Sequence, residues 1–324
     1  MRLSLLMLPL LATILPALSF QASAKMLDPN VPADALEIMK RGQCGEADGK
    51  PAVYSWSGNV YSRVRGEPDR LLFKGQGMNI RQCVSVNDPV QGKGFRQVSR
   101  EIMLYLDPKT GEVVRHWDNP WTGERVEVMQ VANDPVNQPA QYTFSKDGDP
   151  AVPKIKQEGQ WLLQSLEIPL FYPNPLGGKY QEFIGGQYHA MEIFDFTFNA
   201  NEIRNTDIKA VYPAVSWVRL SDWMPWMKMR DRQGQLVFNM TGRKLASFDE
   251  LPQVMKNEIA KNYPEYTRPP ALDDNRPNET TWTAFKQWID AKQTKADSTS
   301  TKLSTAPTNQ SLSQPSNKIS RAPQ

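Results

Sequence analysis

Residues 188–203, YHAMEIFDFTFNANEI, constrain the fold more than any other stretch, because they alternate along a strand yet leave neither face polar. Tyr188, Ala190, Glu192, Phe194, Phe196 and Phe198 share one side, and His189, Met191, Ile193, Asp195 and Thr197 the other. A strand with apolar groups on both sides is covered at least in part on both, as in an antiparallel sheet that curls around its own interior while helices or loops pack outside. No Rossmann-type strand-helix alternation accompanies it. The expectation is a mainly β chain: an antiparallel barrel-like or strongly curved meander sheet, with a short N-terminal helix and C-terminal helices.

Turn chemistry between residues 50 and 245 supports this reading. In SREIMLYLDPKTGEVVRHW an apolar run meets Asp107-Pro108-Lys109-Thr110-Gly111 and a second β-branched run follows. Pro fixes its own φ and Gly accepts a positive one, so this is a turn, and Asn119-Pro120-Trp121-Thr122-Gly123 repeats it at once. Further turns are expected at Ser57-Gly58-Asn59 and at Asp231 to Gly234. Helices are expected at the ends: VPADALEIMKR, SFDELPQVMKNEIAKNYPEY opening on the capping box Ser247-x-x-Glu250, and NETTWTAFKQWIDAK with Trp282, Phe285 and Ile289 on one side.

The first 24 residues carry Arg2, an apolar run from Leu3 to Phe20 and the small-x-small sequence Ala22-Ser23-Ala24, the pattern of a cleaved export signal. The mature chain then begins near Lys25, in a periplasm or otherwise secreted, with no transmembrane anchor. Residues 25–292 read as a single β domain with a helical C-terminal clasp, and 293–324, rich in Ser, Thr, Gln and Pro, as a disordered tail that cannot repay its ordering entropy. Losing Arg2 lowers the formal charge from +3 to +2, with both signs interspersed, which gives no footprint for nucleic acid. Cys44 and Cys83, the two cysteines, are either a disulfide, which export permits, or two free thiols; neither has a second ligand at metal-site spacing.

The run LDPKTGEVVRHWDNPWTGERVEVMQVANDPVN, together with SDWMPWMKM and YPEYTRPPALDDNRPNETTWTAFKQW, resembles the bacterial family called domain of unknown function 1838 (DUF1838), over roughly residues 33 to 292. The resemblance implies no reaction, ligand or catalytic residue.

Chemistry is therefore sought in the residues themselves. No phosphate-binding loop, nucleophile elbow or paired-histidine metal motif is present, and no cofactor or metal is expected. His116 and His189 are the side chains that titrate near neutrality. His116 stands at a strand end before a turn, where it is either a displayed functional group or an ordinary strand histidine. His189 and Asp195, six residues apart on one strand face, are about 20 Å apart and form no dyad. Glu192 sits in an aromatic row, as a desolvated acid or ligand anchor if that face lines a cavity, or as the ion-pair partner of Arg204 or Arg219. Tyr188, Phe194, Phe196, Trp217 and Arg219 are expected beside it in a pocket for a small apolar or amphipathic molecule. Trp223 and Trp226, in SDWMPWMKM, either join that pocket or a surface contact, or belong to core or lid packing. Two other classes stay open: an acid/base enzyme of isomerase or hydratase type using Glu192 with a histidine, and an envelope interaction module.

Overall fold

The computed structural model describes residues 25–304 except 153, 175, 177–179, 181–185 and 230–231, with backbone alone for 172 and 295–304. The segment read as an export signal, Asp231 of the third turn and residues 305–324 lie outside the described residues. Helix α1 (Pro32–Gln43) precedes three long strands, β1 (Ala52–Arg63), β2 (Arg70–Asp88) and β3 (Gly92–Leu106). Shorter strands follow, β4 (His116–Asp118), β5 (Arg125–Glu127), β6 (Val131–Asn133), β7 (Gln138–Tyr142) and β8 (Lys156–Glu158), then β9 (Trp161–Pro173) and β10 (Gln187–Asn199). Helix α2 (Ala200–Arg204), strands β11 (Ala214–Ser221) and β12 (Gln235–Leu245), and helices α3 (Gln253–Asn262) and α4 (Thr281–Ser304) complete the order.

Among the described residues the long strands form one antiparallel sheet in the order β6-β3-β2-β1-β12-β11-β10-β9-β8, with β7 also on β3. The β1–β12 pairing, which runs from Val53↔Leu245 to Arg63↔Gln235, joins the first and last strands in the middle of the sheet rather than at its edges. The sheet is open but curls, so that β3 and β9–β11 face one cavity although three or more strands separate them in the order. The fold is thus mainly β, with helices at the two ends.

Alternation along β3 shows how the two sides are filled. Met103 and Tyr105 enter the inner core with Trp226 and Phe285, while Ile102, Leu104 and Leu106 pack outside against Leu251, Met255 and Ile259 of the α3 region. α1 lays Ala35 and Ile38 against Phe196 and Phe198, and α4 closes the inner core with Trp282 and Phe285. α4 continues to Ser304, so the helix runs on into the stretch read from composition as a tail.

The paired turns form as expected. The Asp107 Oδ1 accepts the amides of Lys109 and Thr110, each at 2.8 Å, and the Asn119 Oδ1 accepts those of Trp121 and Thr122 at 2.9 and 3.3 Å. Gly111 and Gly123 close them with φ of 73° and 72°.

Two local expectations are corrected. Ser57-Gly58-Asn59 is not a turn: β1 runs straight through it, and Gly58 is needed because a Cβ there would sit 2.1 Å from the Asn239 carbonyl oxygen across the strand pair. The Ser247 hydroxyl caps only a 3-10 turn, Phe248–Glu250, accepting the Asp249 amide at 3.2 Å. Glu250 pairs with Arg243 at 3.0 Å instead of closing a capping box, and α3 starts after Pro252.

Cys44 and Cys83 are joined in a disulfide that ties the end of α1 to β2. Both are buried, with Leu36, Met39 and Phe95 around them.

Candidate functional site

A cavity of about 370 Å³ opens on the concave side of the sheet. Register explains its walls. On β10 and β11, Phe196↔Val215, Phe194↔Trp217 and Glu192↔Arg219 are directly opposed pairs, and Leu166, Ile168 and Leu170 of β9 extend the same rows. These form an apolar, largely aromatic wall, in which the Phe194 and Trp217 rings stack 6.1 Å apart. Facing it, β2, β3 and β6 contribute Asn79, Arg81, Gln97, Ser99, Glu101 and Asn133. The first wall is therefore greasy apart from the Glu192–Arg219 pair, and the second carries most of the polar groups, with Ile102, Met103 and Val131 beside them.

Trp56 of β1 lies between the two walls. Its strand neighbours are glycines on both sides, Gly77 of β2 and Gly242 of β12, and a Cβ on Gly77 would come 2.0 Å from the indole nitrogen. Gly77 gives the large indole room over β2 and Gly242 lets β12 approach the Trp56 backbone closely, and the edge of the indole meets Trp217 with ring centroids 6.2 Å apart.

The charged groups of the site are half-buried and arranged in two sets. Glu192 and Arg219 form an ion pair at 3.3 Å; the Arg219 Nη2 also donates to the Tyr188 hydroxyl, and its guanidinium lies over Phe238. Burial alone would lower the affinity of Arg219 for its proton, but Glu192 and the Tyr188 contact outweigh it and hold the guanidinium charged. On the opposite wall the Arg81 Nε donates to the Asn79 Oδ1 at 2.7 Å, its Nη1 to the Gln97 Oε1 at 3.2 Å, and the guanidinium covers the Tyr54 ring at 4.8 Å. Beside it the Glu101 Oε1 accepts from the Asn133 Nδ2 at 2.8 Å. Desolvation pushes the Glu101 carboxyl above its ordinary value of 4.5 and the Glu192 charge adds to this, while the Asn133 hydrogen bond, Arg219 and Arg81 oppose it. Glu101 and Glu192 thus sense each other across the cavity.

Of the residues singled out from sequence, Glu192, Tyr188, Phe194, Phe196, Trp217 and Arg219 line this one cavity. The partner of Glu192 is Arg219; Arg204 instead donates to the Leu27 carbonyl at 2.6 Å. His189 is exposed on the other face of β10, its ring 5.5 Å from that of Phe171, and His116 is exposed on β4 opposite Glu127. Neither histidine lines the cavity, so no histidine stands beside Glu192 there.

Trp223 and Trp226 also lie outside it. Both are buried, at 6% and 2% exposure, in a core with Phe73, Tyr105, Trp117 and Trp121; the Trp226 ring centroid is 5.3 Å from that of Tyr105. The repeated turn pins them: Asn119, besides shaping its own loop, donates from Nδ2 to the Met227 carbonyl at 2.9 Å. SDWMPWMKM is core apart from the exposed Lys228, and Trp226 and Lys228 reach a second hollow, which Trp288 and Lys292 also line.

Arg81, Glu101 and Asn79 carry no motif and were not anticipated. The available signal was the polar alternation of GMNIRQ in β2, which reads equally well as a solvated face. Among the described residues no three His, Cys, Asp or Glu side chains converge as a metal site, and no helix is long and apolar enough to cross a membrane.

A family model described as "Protein of unknown function (DUF1838)" matches residues 49–289. No curated protein and no solved structure matches the chain.

Proposed function

The chain belongs to the DUF1838 family, whose description assigns no activity, and from the cavity we propose that it is an exported protein that binds a small amphipathic molecule. The observation that carries this reading is the division of one cavity into an aromatic and aliphatic wall, with Leu166, Phe194 and Trp217, and a wall of hydrogen-bonding groups, with Arg81, Gln97 and Ser99. A site of this size, mostly apolar with a few convergent polar groups, suits a small ligand held by its body and oriented by its head. The N-terminal apolar run ending in Ala22-Ser23-Ala24, and the disulfide, support export to a periplasm or beyond the cell.

Native mass spectrometry of protein recovered from the periplasm, followed by extraction, tests this reading. A stoichiometric amphipathic molecule is the expected result. A protein that arrives empty and binds neither aliphatic alcohols nor aliphatic acids overturns it.

A second reading rests on a separate observation: two carboxylates, Glu101 and Glu192, line the same cavity. In an isomerisation, Glu192 takes a proton from carbon while Glu101, whose carboxyl burial pushes upward, protonates the receiving atom. No cofactor enters this step. The extracted molecule, incubated with the protein in D2O, would exchange hydrogen at carbon, and Glu101→Gln would stop the exchange; binding without exchange leaves the first reading alone. The interaction-module reading loses the segment that motivated it, since the Trp/Met stretch is buried.

A further inference from the structure

We propose that the molecule bound in the cavity is an amphipathic carboxylate whose head group docks on Arg81 while its apolar body lies along Leu166, Phe194 and Trp217. This rests on the cavity being a binding site and adds the charge of its occupant.

Two arginines line the cavity, Arg81 and Arg219. Arg219 is neutralised by Glu192. Arg81 is different. Its hydrogen-bond acceptors, the Asn79 and Gln97 side-chain oxygens, are neutral amides, and among the described residues no carboxylate forms an ion pair with it. Two amide oxygens and the Tyr54 ring fix the plane of the guanidinium without cancelling its charge. Its Nη2 has no hydrogen-bond partner among the described residues and is not one of the buried side-chain atoms sealed off without a partner. The free edge of a fixed cation, which feels the Glu101 charge but makes no ion pair with it, is thus on the wall of a cavity.

A guanidinium taken out of bulk water is stabilised by an anion, and its fork matches the two oxygens of a carboxylate. The groups near it reinforce this. Lys244 is close enough for its charge to act on Arg81 in the same sense, and Ser99, Gln43 and Gln141, which line the cavity too, are neutral hydrogen-bonding groups. The cavity carboxylates are otherwise engaged: Glu192 with Arg219, Glu101 with Asn133, and Glu279 with the Asp134 amide at 3.1 Å. One cation without an ion-pair partner, with neutral hydrogen-bonding groups and the Glu101 carboxyl nearby, suits a singly charged head better than a phosphate dianion.

Isothermal titration of the intact, oxidised protein at pH 7.5 with decanoate, decanol and decyltrimethylammonium, equal in chain and different in head, tests this. Decanoate is expected to bind at least about tenfold more tightly than decanol, the scale of one charge-assisted hydrogen bond, with the ammonium weakest. Arg81→Gln should abolish the preference by weakening decanoate while leaving decanol within about threefold, and Arg81→Lys should restore part of it. Equal affinity of the wild type for decanoate and decanol overturns the assignment while leaving a binding cavity in place, and this comparison needs no variant to fold. A preference that survives in folded Arg81→Gln overturns it as well. Binding of none of the three overturns the cavity reading and this one together.

Discussion

Glu192 of β10 and Arg219 of β11 stand directly opposite one another in antiparallel register, and their charged ends meet at 3.3 Å inside the curl of the sheet. Their side chains retain only 19% and 15% exposure, so each depends on the other. Removing one leaves the other's charge desolvated, which costs about 3–5 kcal/mol, whereas removing both leaves only a packing defect. Glu192→Met and Arg219→Met are therefore each expected to lower stability sharply, and the double variant to recover much of the loss. Urea unfolding of the four proteins of this cycle checks it; additive losses would show that the pair is not coupled.

Glu101 behaves in the opposite sense. Desolvation holds its carboxyl above 4.5 in the folded chain, so the folded state keeps the proton to a higher pH than the unfolded one. In that window the folded state binds more protons, and stability falls as pH rises. Gln at this position can still accept the Asn133 hydrogen bond but carries no charge to desolvate. Glu101→Gln is expected to melt at the same temperature as the wild type at pH 4 and progressively higher above it as the pH is raised. An unchanged difference across the range would mean that the carboxyl pays no burial penalty. A stabilising substitution at a polar cavity residue is also what a functional site predicts.

Much of this was legible in the sequence and some of it could not be. The two faces of β10, the repeated Asx turns and the pocket-facing row from Tyr188 to Phe196 follow from period-2 alternation and the chemistry of Pro, Gly, Asp and Asn, which act locally. Arg81 and Glu101 do not. They share a cavity with Glu192 only because a sheet ordered β3-β2-β1-β12-β11-β10 curls through three or four intervening strands, and no local pattern records that curvature. Nor does alternation say whether a polar face meets solvent or a cavity. Gly58 misleads for a related reason: glycine marks both turns and close approaches of strands, and here a single residue was read as the first when the neighbouring Asn239 carbonyl makes it the second.

Gly77 gives a direct test of that curvature. A methyl group there meets the Trp56 indole nitrogen at 2.0 Å, so Gly77→Ala must push the ring out of its place over β2. Overpacking of this kind costs about 1–3 kcal/mol. Trimming the ring with Trp56→Ala should remove most of the added cost, so the double variant is expected to be no less stable than Trp56→Ala alone. Thermal melts of the cycle decide it.

The Cys44–Cys83 bond closes a separation of 39 residues between α1 and β2. In the chain-entropy model this stabilises the fold by about 4 kcal/mol, and both sulfurs are buried. Cys44→Ser with Cys83→Ser should melt well below the oxidised protein, with a dithiothreitol-treated wild type approaching the same value. Coincident melts of oxidised and reduced protein would show that α1 is held by packing alone.

Lys244 links that corner to the cavity wall. It is buried, donates from Nζ to the Arg41 carbonyl at 3.1 Å and to the Cys44 carbonyl, and so caps the end of α1 just before the disulfide. Desolvation first, and the charge of Arg81 next, with a smaller push from Arg41, hold its pKa down to about 8, against a slight opposing pull from Glu46. The unfolded chain would keep this proton to 10.5, so between these values the unfolded state binds more protons and stability rises with pH. Above about pH 10 the buried Tyr54 and Tyr105 hydroxyls, which folding holds protonated, pull stability down again. The wild type is therefore expected to gain stability from pH 8 to pH 10. Lys244→Met has no proton to lose and should show a flat profile over the same range. Urea midpoints at half-unit steps measure both slopes, and a wild type as flat as the variant would place the Lys244 charge in solvent rather than against Arg81.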